Sequence, residues 1–415
     1  MPKQPEALRI CIVAEHASNR FGGEAVLPLH YFTQLRKRKI EAWLVVHSRT
    51  RAELEALFPD DKHRIHFIND NWMHKLLFRI SSLLPRRLGE MTAGLFSQLI
   101  TQYEARGVVR RLIPREAIDV VHQPIPVSPR FPSLMANLGV PVVIGPMNGG
   151  MEYPVAFRGT ESALSRISVD LGRHLSGFVH SMLSGKKYAS VLLVANKRTR
   201  LALPSCARGQ VIEIPENGVD LSTWSMANTP APSPSSNRFV FMGRLVDWKG
   251  VDMAIQALTQ VPEAELEIIG DGAMRYAWQQ LAENLGVSQR VHFAGFLPQI
   301  ECAPRLQSAV ALLLPSVYEC GGAVVLESMA TGTPVIATKW GGPADYLDDS
   351  CGILVEPSSR DGIVNGFAAG MKRLLADTEL RRQMGANGKQ RVQQHFDWEK
   401  KIDRILEIYG SALTR

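Results

Sequence analysis

Glu319 and Glu327 flank a glycine pair in the stretch PSVYECGGAVVLESMATGTPVIA. The run Ala309 to Leu314 ahead of them is short and apolar, the pattern of a parallel strand buried on both faces. Gly321-Gly322 lets the backbone turn tightly and approach a ligand closely. Ala323 to Ala330 then reads as a helix, with Gly332 and Pro334 as stop signals. One carboxylate therefore sits on a loop at a strand's C-terminal end, and the other about two turns into the next helix. The exposed amides at that helix start favour an anion, above all phosphate. Phosphate held on amides and hydroxyls held on carboxylates together suit a nucleotide sugar.

A second constellation, MGRLVDWKG, directly follows the run Arg238 to Met242. Gly243 gives a close turn, and Arg244 and Lys249 supply two cations where a strand ends, the place where open parallel sheets bind ligands. A guanidinium fork and an ammonium point charge suit a diphosphate. Asp271, in IIGDG, either faces the nucleotide or closes a local Asx turn. Phe296 and Leu297, in AGFLPQ, lie where the backbone meets a nucleobase edge, or in a plain loop. Gly22-Gly23 separate the first expected strand from the first expected helix without a GxGxxG fingerprint, and still let a phosphate or sugar lie against backbone. His122 in VHQPIPVSP, Asn148 in IGPMNGG and Asn196 each end or follow a strand-like run. Asn148, Glu152, Tyr153 and Asn196 are candidates for holding an acceptor. The sequence contains no GxxxxGK[ST], HExxH or GxSxG, which argues against a P-loop ATPase, a zincin and an α/β-hydrolase.

These residues need strands and helices in alternation to position them. In the first half the expected strands are Leu8 to Ala14, Glu41 to Val46, Ala117 to Val121, Val140 to Ile144 and Ser190 to Val194, with helices at 24–38 and 161–188. In the second half the strands are Arg238 to Met242, Ala264 to Ile269, Arg290 to Phe293, Ala309 to Leu314 and Val335 to Ala337. Such alternation implies parallel sheets covered on both faces. The Pro/Ser-rich stretch 229–238 reads as a loop near a domain boundary, and Trp398 to Leu413 has apolar residues at helical spacing.

The chain has 415 residues, of which 45% are apolar, enough for large cores. Its five cysteines have no CxxC spacing, which argues for a reducing compartment and against a zinc site. No apolar run reaches the ~18 residues of a membrane span, and the N-terminal apolar core is too short for a signal peptide. A cytoplasmic location is expected. Residues 1–215 carry 29 Lys and Arg against 17 Asp and Glu, whereas residues 216–415 carry 18 against 23. The basic half points to an anionic partner. Segment 71–115, with NWMHKLLFRISSLLPRRLGEM and VVRRLIPR, mixes Trp, Leu and Phe with Lys and Arg. It reads either as an amphipathic surface for an anionic bilayer or as a core helix with a solvated basic face. Arg166, Arg173, Lys186 and Lys187 would extend the same surface.

The order GR-x4-KG then E-x7-E, between residues 238 and 347, resembles the family 4 retaining glycosyltransferases, and the likeness spans nearly the whole chain. The resemblance implies an α/β GT-B fold, two Rossmann-like domains facing each other across a cleft. It implies an acceptor-binding domain at 1–215, completed by a C-terminal helix at 396–415, and a nucleotide-sugar donor domain at 216–395. It implies that Glu319 contacts hydroxyls of the donor sugar and Glu327 the ribose. Arg244 and Lys249 would bind the diphosphate, with the amides of Gly321, Gly322 and Ala323 nearby. Gly22-Gly23 would face the donor phosphates and His122 the transferred sugar. The implied reaction moves a hexosyl unit from a nucleoside-diphosphate sugar to a saccharide or lipid-linked acceptor, in exopolysaccharide or lipopolysaccharide assembly. It retains the anomeric configuration and uses no metal and no cofactor. Peripheral contact with an anionic membrane is expected through the basic half, at the inner face of the cytoplasmic membrane.

The chain departs from that pattern twice. Cys320-Gly321 stand where relatives often have an aromatic, and IGPMNGG stands where many carry a Thr/His/Asp-type motif. Another GT-B enzyme, such as a nucleotide-sugar epimerase or glycogen-type synthase, shares the fold and the phosphate site. A non-enzymatic basic protein on membrane or nucleic acid is a more distant reading. No nucleic-acid module or aromatic–basic stacking run is present, so no nucleic-acid partner is expected.

Overall fold

The structure, a computed structural model, describes residues 7–21, 23–83, 94–160, 183, 185–224 and 237–414. Among these the chain divides into two compact units. The first is Met1–Gly150 with Ala163–Glu216 and Ile402–Arg415, and the second is Met151–Ser162 with Asn217–Lys401. Residues from Met151 thus join the second unit although they follow a strand of the first. Gly22, Arg166, Arg173 and nearly all of the expected helix at 161–188 lie outside the described residues, as does most of the loop at 229–238.

The first unit is built on seven strands: β1 (Arg9–Val13), β2 (Glu41–His47), β3 (Ile65–Ile68), β4 (Val120–Gln123), β5 (Val142–Met147), β6 (Val191–Val194) and β7 (Gln210–Glu213). They form one sheet in the order β3-β2-β1-β4-β5-β6-β7, with every pairing parallel. The central strands are continuous apolar runs, buried along nearly their whole length, as a sheet covered on both faces requires. Helix Val26–Lys37 lays Leu27, Leu29, Tyr31, Phe32 and Leu35 inward, and helix Leu95–Glu116 does so with Ala105, Val109 and Leu112. These spacings of three and four give one apolar stripe.

The second unit holds β8 (Arg238–Met242), β9 (Glu265–Ile269), β10 (Val291–Gly295), β11 (Leu312–Leu314), β12 (Val335–Thr338) and β13 (Gly352–Val355). Its order is β10-β9-β8-β11-β12-β13, again parallel throughout. The chain winds from β8 outward to β10, then returns to β11 on the other side of β8 and winds the opposite way. A crevice opens beyond the strand ends where the winding reverses, here between β8 and β11. In the first sheet the same reversal falls between β1 and β4.

The last helix, Trp398–Leu413, is shared between the units by sequence. Trp398 is buried in the second, where a Cβ on Gly218 would lie 3.3 Å from its ring. Ile402, Ile405, Leu406 and Tyr409 are buried in the first. The Tyr409 hydroxyl meets His122 Nδ1 at 2.7 Å, while His122 Nε2 lies 2.5 Å from the Gly145 carbonyl oxygen. The carbonyl can only accept, so Nε2 carries the proton and Nδ1 accepts from Tyr409. Tyr409→Phe removes that donor from a fully buried histidine. It is expected to lower stability by about 1–2 kcal/mol in urea unfolding, with little change in the slope of the transition.

Candidate functional site

Lys249 and Glu319 are 70 residues apart in sequence and in direct contact. The fold explains why. Lys249 lies in the loop after β8 and Glu319 in the loop after β11, and these strands are neighbours. Lys249 Nζ donates to Glu319 Oε2, with side chains only 14% and 13% exposed. Lys249 is followed by Gly250 at φ +64°, where a Cβ would stand 2.4 Å from the Pro315 carbonyl oxygen. Only glycine permits both that conformation and that approach, so the cation is delivered onto the strand β11 side. Arg244, five residues earlier, is exposed and has no side-chain partner among the described residues.

Helix Ala323–Thr331 starts beside this pair, on Gly322 in the left-handed conformation, and no side chain caps it. Val325 N donates to the Gly322 carbonyl at 2.9 Å, which leaves the amides ahead of it to take an anion. The Glu319 carbonyl accepts from Gly342 N at 2.8 Å, so the start of helix Gly342–Tyr346 packs on the same turn. A Cβ on Gly342 would come within 1.8 Å of the Gly321 carbonyl oxygen. Glu327 sits one helical face away, with no hydrogen-bond or ion-pair partner among the described residues. Burial pushes its carboxyl up from 4.5 to about 7. An acid held half-neutral without a partner is poised to accept hydroxyl hydrogen bonds.

The segment after β5 closes in on the same loops. Trp340 Nε1 donates to the Glu152 carbonyl oxygen at 2.8 Å. The Tyr153 and Tyr318 rings lie 4.8 Å apart, and a Cβ on Gly341 would meet the Met151 sulfur at 2.7 Å. Tyr153 and Glu152 thus lie in the second unit, beside the loop that carries Glu319. The Glu152 carboxylate pairs with Arg158 at 3.0 Å. Tyr318 and Trp340 escape the sequence reading. Tyr318 adjoins Glu319, but its aromatic partner comes from a segment 165 positions earlier, which no local pattern reveals.

Several sequence expectations are corrected. His122 is fully buried, and both ring nitrogens are engaged inside the first unit, so it does not face a transferred sugar. Asn148 donates to Glu216 at 2.7 Å, and Asn196 caps helix Lys197–Leu201 by accepting from Thr199 N at 2.9 Å. Both amides are buried in one internal network with each other. Asp271 closes a local turn on Gly272 N at 2.7 Å and meets Arg275 at 3.4 Å. Gly243 ends β8 and donates to the Ile269 carbonyl at 3.0 Å. Phe296 is 76% exposed just beyond β10, with Leu297 half-buried beside it. In the first unit, Gly23 opens a short turn at φ +54°. Next to it, Glu24 accepts from Val127 N at 3.0 Å, across the reversal between β1 and β4.

Residues 225–391 match the family described as Glycosyl transferases group 1. Over 185 residues the chain is 35% identical to the lipopolysaccharide core biosynthesis glycosyltransferase LpsE of Rhizobium meliloti (strain 1021), covering 44% of this chain and 52% of that protein. Over 264 residues it is 29% identical to the glycogen synthase of Mycobacterium tuberculosis (strain H37Rv), covering 59% of this chain and 62% of that one. The chain thus spans about half to three fifths of these relatives' length. Among solved structures, Anabaena HepE in complex with UDP aligns with a TM-score of 0.66 at 16% identity, over 96% of this chain and 100% of HepE. That likeness shows the fold, GT-B, with two Rossmann-like parallel-sheet units.

The Glu327 carboxyl makes stability depend on pH. Between about 4.5, where the unfolded chain releases this proton, and about 7, where the folded one does, the native state binds more protons. Stability from this group is therefore greatest below that window and is lost as pH rises through it. The difference in unfolding free energy between the parent protein and Glu327→Gln should shift against the parent from pH 4.5 to 7 and level off above. Urea titrations at four pH values measure it.

Proposed function

We propose that the chain is a retaining glycosyltransferase of family 4 that moves a hexosyl unit from a nucleoside-diphosphate sugar to a saccharide or lipid-linked acceptor. The observation that carries this reading is the convergence of Lys249, Glu319 and an uncapped helix start at the winding reversal of the second sheet. The match of residues 225–391 to group 1 glycosyl transferases covers this same unit. Assembly of lipopolysaccharide or exopolysaccharide is the proposed setting, supported by the likeness to LpsE.

In this mechanism the diphosphate lies on the amides of Gly321, Gly322 and Ala323, with Arg244 and Lys249 as counter-charges. Glu319 accepts from hydroxyls of the sugar and Glu327 from those of the ribose. Gly243, Phe296 and Leu297 line the donor side, and Glu152 and Tyr153 the acceptor side. The bond from the anomeric carbon to the phosphate oxygen breaks as the acceptor oxygen bonds to that carbon on the same face. The acceptor proton passes to the departing phosphate, so configuration is retained without a covalent intermediate. Negative charge grows on the diphosphate in the transition state, and fixed cations and amides stabilise it there. No metal is required for this step.

Replacing Arg244 or Lys249 by Ala is expected to slow donor turnover by about 10²–10³-fold, the usual effect of deleting one such group. The assay is nucleoside-diphosphate release from UDP-, GDP-, ADP- and TDP-hexoses, with and without acceptor. Unchanged turnover removes the assignment, and release that ignores the acceptor favours epimerisation or hydrolysis over transfer.

We also propose an anionic membrane surface, at the cytoplasmic face, as a partner of the first unit. Among the described residues no helix is long and apolar enough to cross a membrane. Helix Trp72–Leu83 presents Trp72, Lys75, Leu76 and Arg79 on one exposed face, and Trp72 is 72% exposed. Phe96 and Tyr103, on helix Leu95–Glu116, are exposed as well. Aromatic and basic residues on one face suit an anionic interface. Lys75→Ala with Arg79→Ala should cost about 2 kcal/mol of vesicle affinity, or about 30-fold. Sedimentation with anionic vesicles, against neutral ones as control, reads this out.

A further inference from the structure

At the C-terminal edge of the first sheet, apart from the candidate donor site, two histidines and an aspartate converge. His47 is the last residue of β2, Asp70 lies just past β3, and His74 stands in the first turn of helix Trp72–Leu83. One ligand atom from each lies within 4.8 Å of the others. His47 is fully buried and His74 is 3% exposed, whereas Asp70 opens to solvent. His47 Nε2 makes no hydrogen bond, although Asp70 Oδ1 lies 3.3 Å away. A buried imidazole nitrogen left without a partner is costly, and here it points towards a carboxylate and a second imidazole.

The surroundings set the histidine tautomer. The Thr101 hydroxyl donates to the Ser97 carbonyl at 3.0 Å. Its oxygen is therefore left to accept from His74 Nε2, also at 3.0 Å. The proton then sits on Nε2, which leaves Nδ1 with a lone pair. Metal-bound histidines characteristically give their other N–H to such an oxygen. Asn71 N donates to His74 Nδ1 at 3.2 Å, and Asn71 Oδ1 lies 2.9 Å from it.

We infer that His47, Asp70 and His74 form a zinc site, with His47 Nε2, His74 Nδ1 and a carboxylate oxygen as ligands and water on the solvent side. Two imidazoles and one carboxylate are a donor set suited to a borderline divalent ion. The ion would fasten the end of β2 to the first turn of helix Trp72–Leu83, as a clip rather than a participant in group transfer. Three contacts oppose it: the Asn71 N–H on His74 Nδ1 at 3.2 Å must be given up to the ion, and two more come from Arg49. Arg49 NH2 donates to Asp70 Oδ1 at 2.9 Å, and Arg49 N donates to His47 Nδ1 at 3.3 Å. Of the Arg49 pair, the second is long and is given up when Nδ1 takes the proton. The first leaves the other Asp70 oxygen for the ion but places a positive charge beside it. Arg49 therefore weakens the site without closing it. This inference is independent of the proposed transferase activity.

The test uses the untagged full chain, stripped of metal, with Zn²⁺ titrated against a chromophoric chelator at pH 7.5. One equivalent should bind, and Zn²⁺ should raise the melting temperature. His47→Ala, His74→Ala and Asp70→Asn should each weaken binding at least tenfold. Asp70→Asn alters only an exposed side chain and keeps the test valid if a histidine variant fails to fold. Arg49→Ala should bind more tightly than the parent. Absence of stoichiometric binding, or binding and thermal shift unchanged in Asp70→Asn, overturns the site.

Discussion

The ion pair between Lys249 and Glu319 joins the loops that follow β8 and β11, and the geometry of the second unit depends on those loops meeting. A parallel sheet that winds outward from its centre in both directions must leave one gap between neighbouring strand ends, because no connection covers it. Backbone amides, helix starts and polar side chains collect there because the strands themselves are too apolar to carry them. Neighbouring turns are held by glycine at points where any side chain would strike backbone. Gly250 lies against Pro315 and Gly342 against Gly321. The cost of an added Cβ at such contacts is steric and local, so the turns resist drift. The cation and the carboxylate keep their register as a result.

The two units share a topology but differ in what stands at the reversal. In the second the gap holds a cation, a carboxylate and an uncapped helix of nine residues. In the first, Glu24 spans it by accepting from Val127 N, and burial raises the pKa of that carboxyl. A carboxylate partly desolvated and tied to one amide repels phosphate. Among the described residues the two reversals thus differ in the charge they present. Part of the basic excess of the first half lies on helices Trp72–Leu83 and Leu95–Glu116, and part follows strand ends, as with Lys197, Arg198 and Arg200 after β6.

What the sequence makes legible follows from where each residue's partners lie. The buried central strands read clearly, since β1, β2, β8 and β9 are apolar runs that need no outside information. The missed strands, β3, β7 and β13, are all at sheet edges. There one flank is unpaired and cover is thinner, so IHFI and QVIE carry polar residues that blur the pattern. Lys249 and Glu319 were visible because each sits at a strand end with glycine beside it. His122, Asn148 and Asn196 share that placement and bind structure instead. The difference lies in partners supplied from afar, namely Tyr409, Glu216 and Thr199, and position along a strand does not disclose them. The His47, Asp70 and His74 cluster is hidden for the same reason, since its spacing matches no local motif.

Charge at the second reversal can be counted. Lys249 and Glu319 cancel, and Glu327 is held near half-neutral by burial around pH 7. Arg244 is exposed with no side-chain partner among the described residues, and Asp247 stands in the same loop, so these side chains together are close to neutral. A diphosphate entering such a site does not meet two bare cations competing with solvent. It meets an ammonium already desolvated and pre-positioned by a carboxylate. Exchange of partners then costs less than capture from water, because the desolvation has been borne by folding. The carboxylate freed by that exchange is left next to the ligand with lone pairs unsatisfied, and a sugar hydroxyl is the neutral donor that meets the need without importing a second charge. Had Glu327 been fully ionised as well, the site would carry three negative charges against two positive ones and lose its preference for an anion. On the proposed donor reading, its burial against the helix lets the same loops hold acids and still favour phosphate.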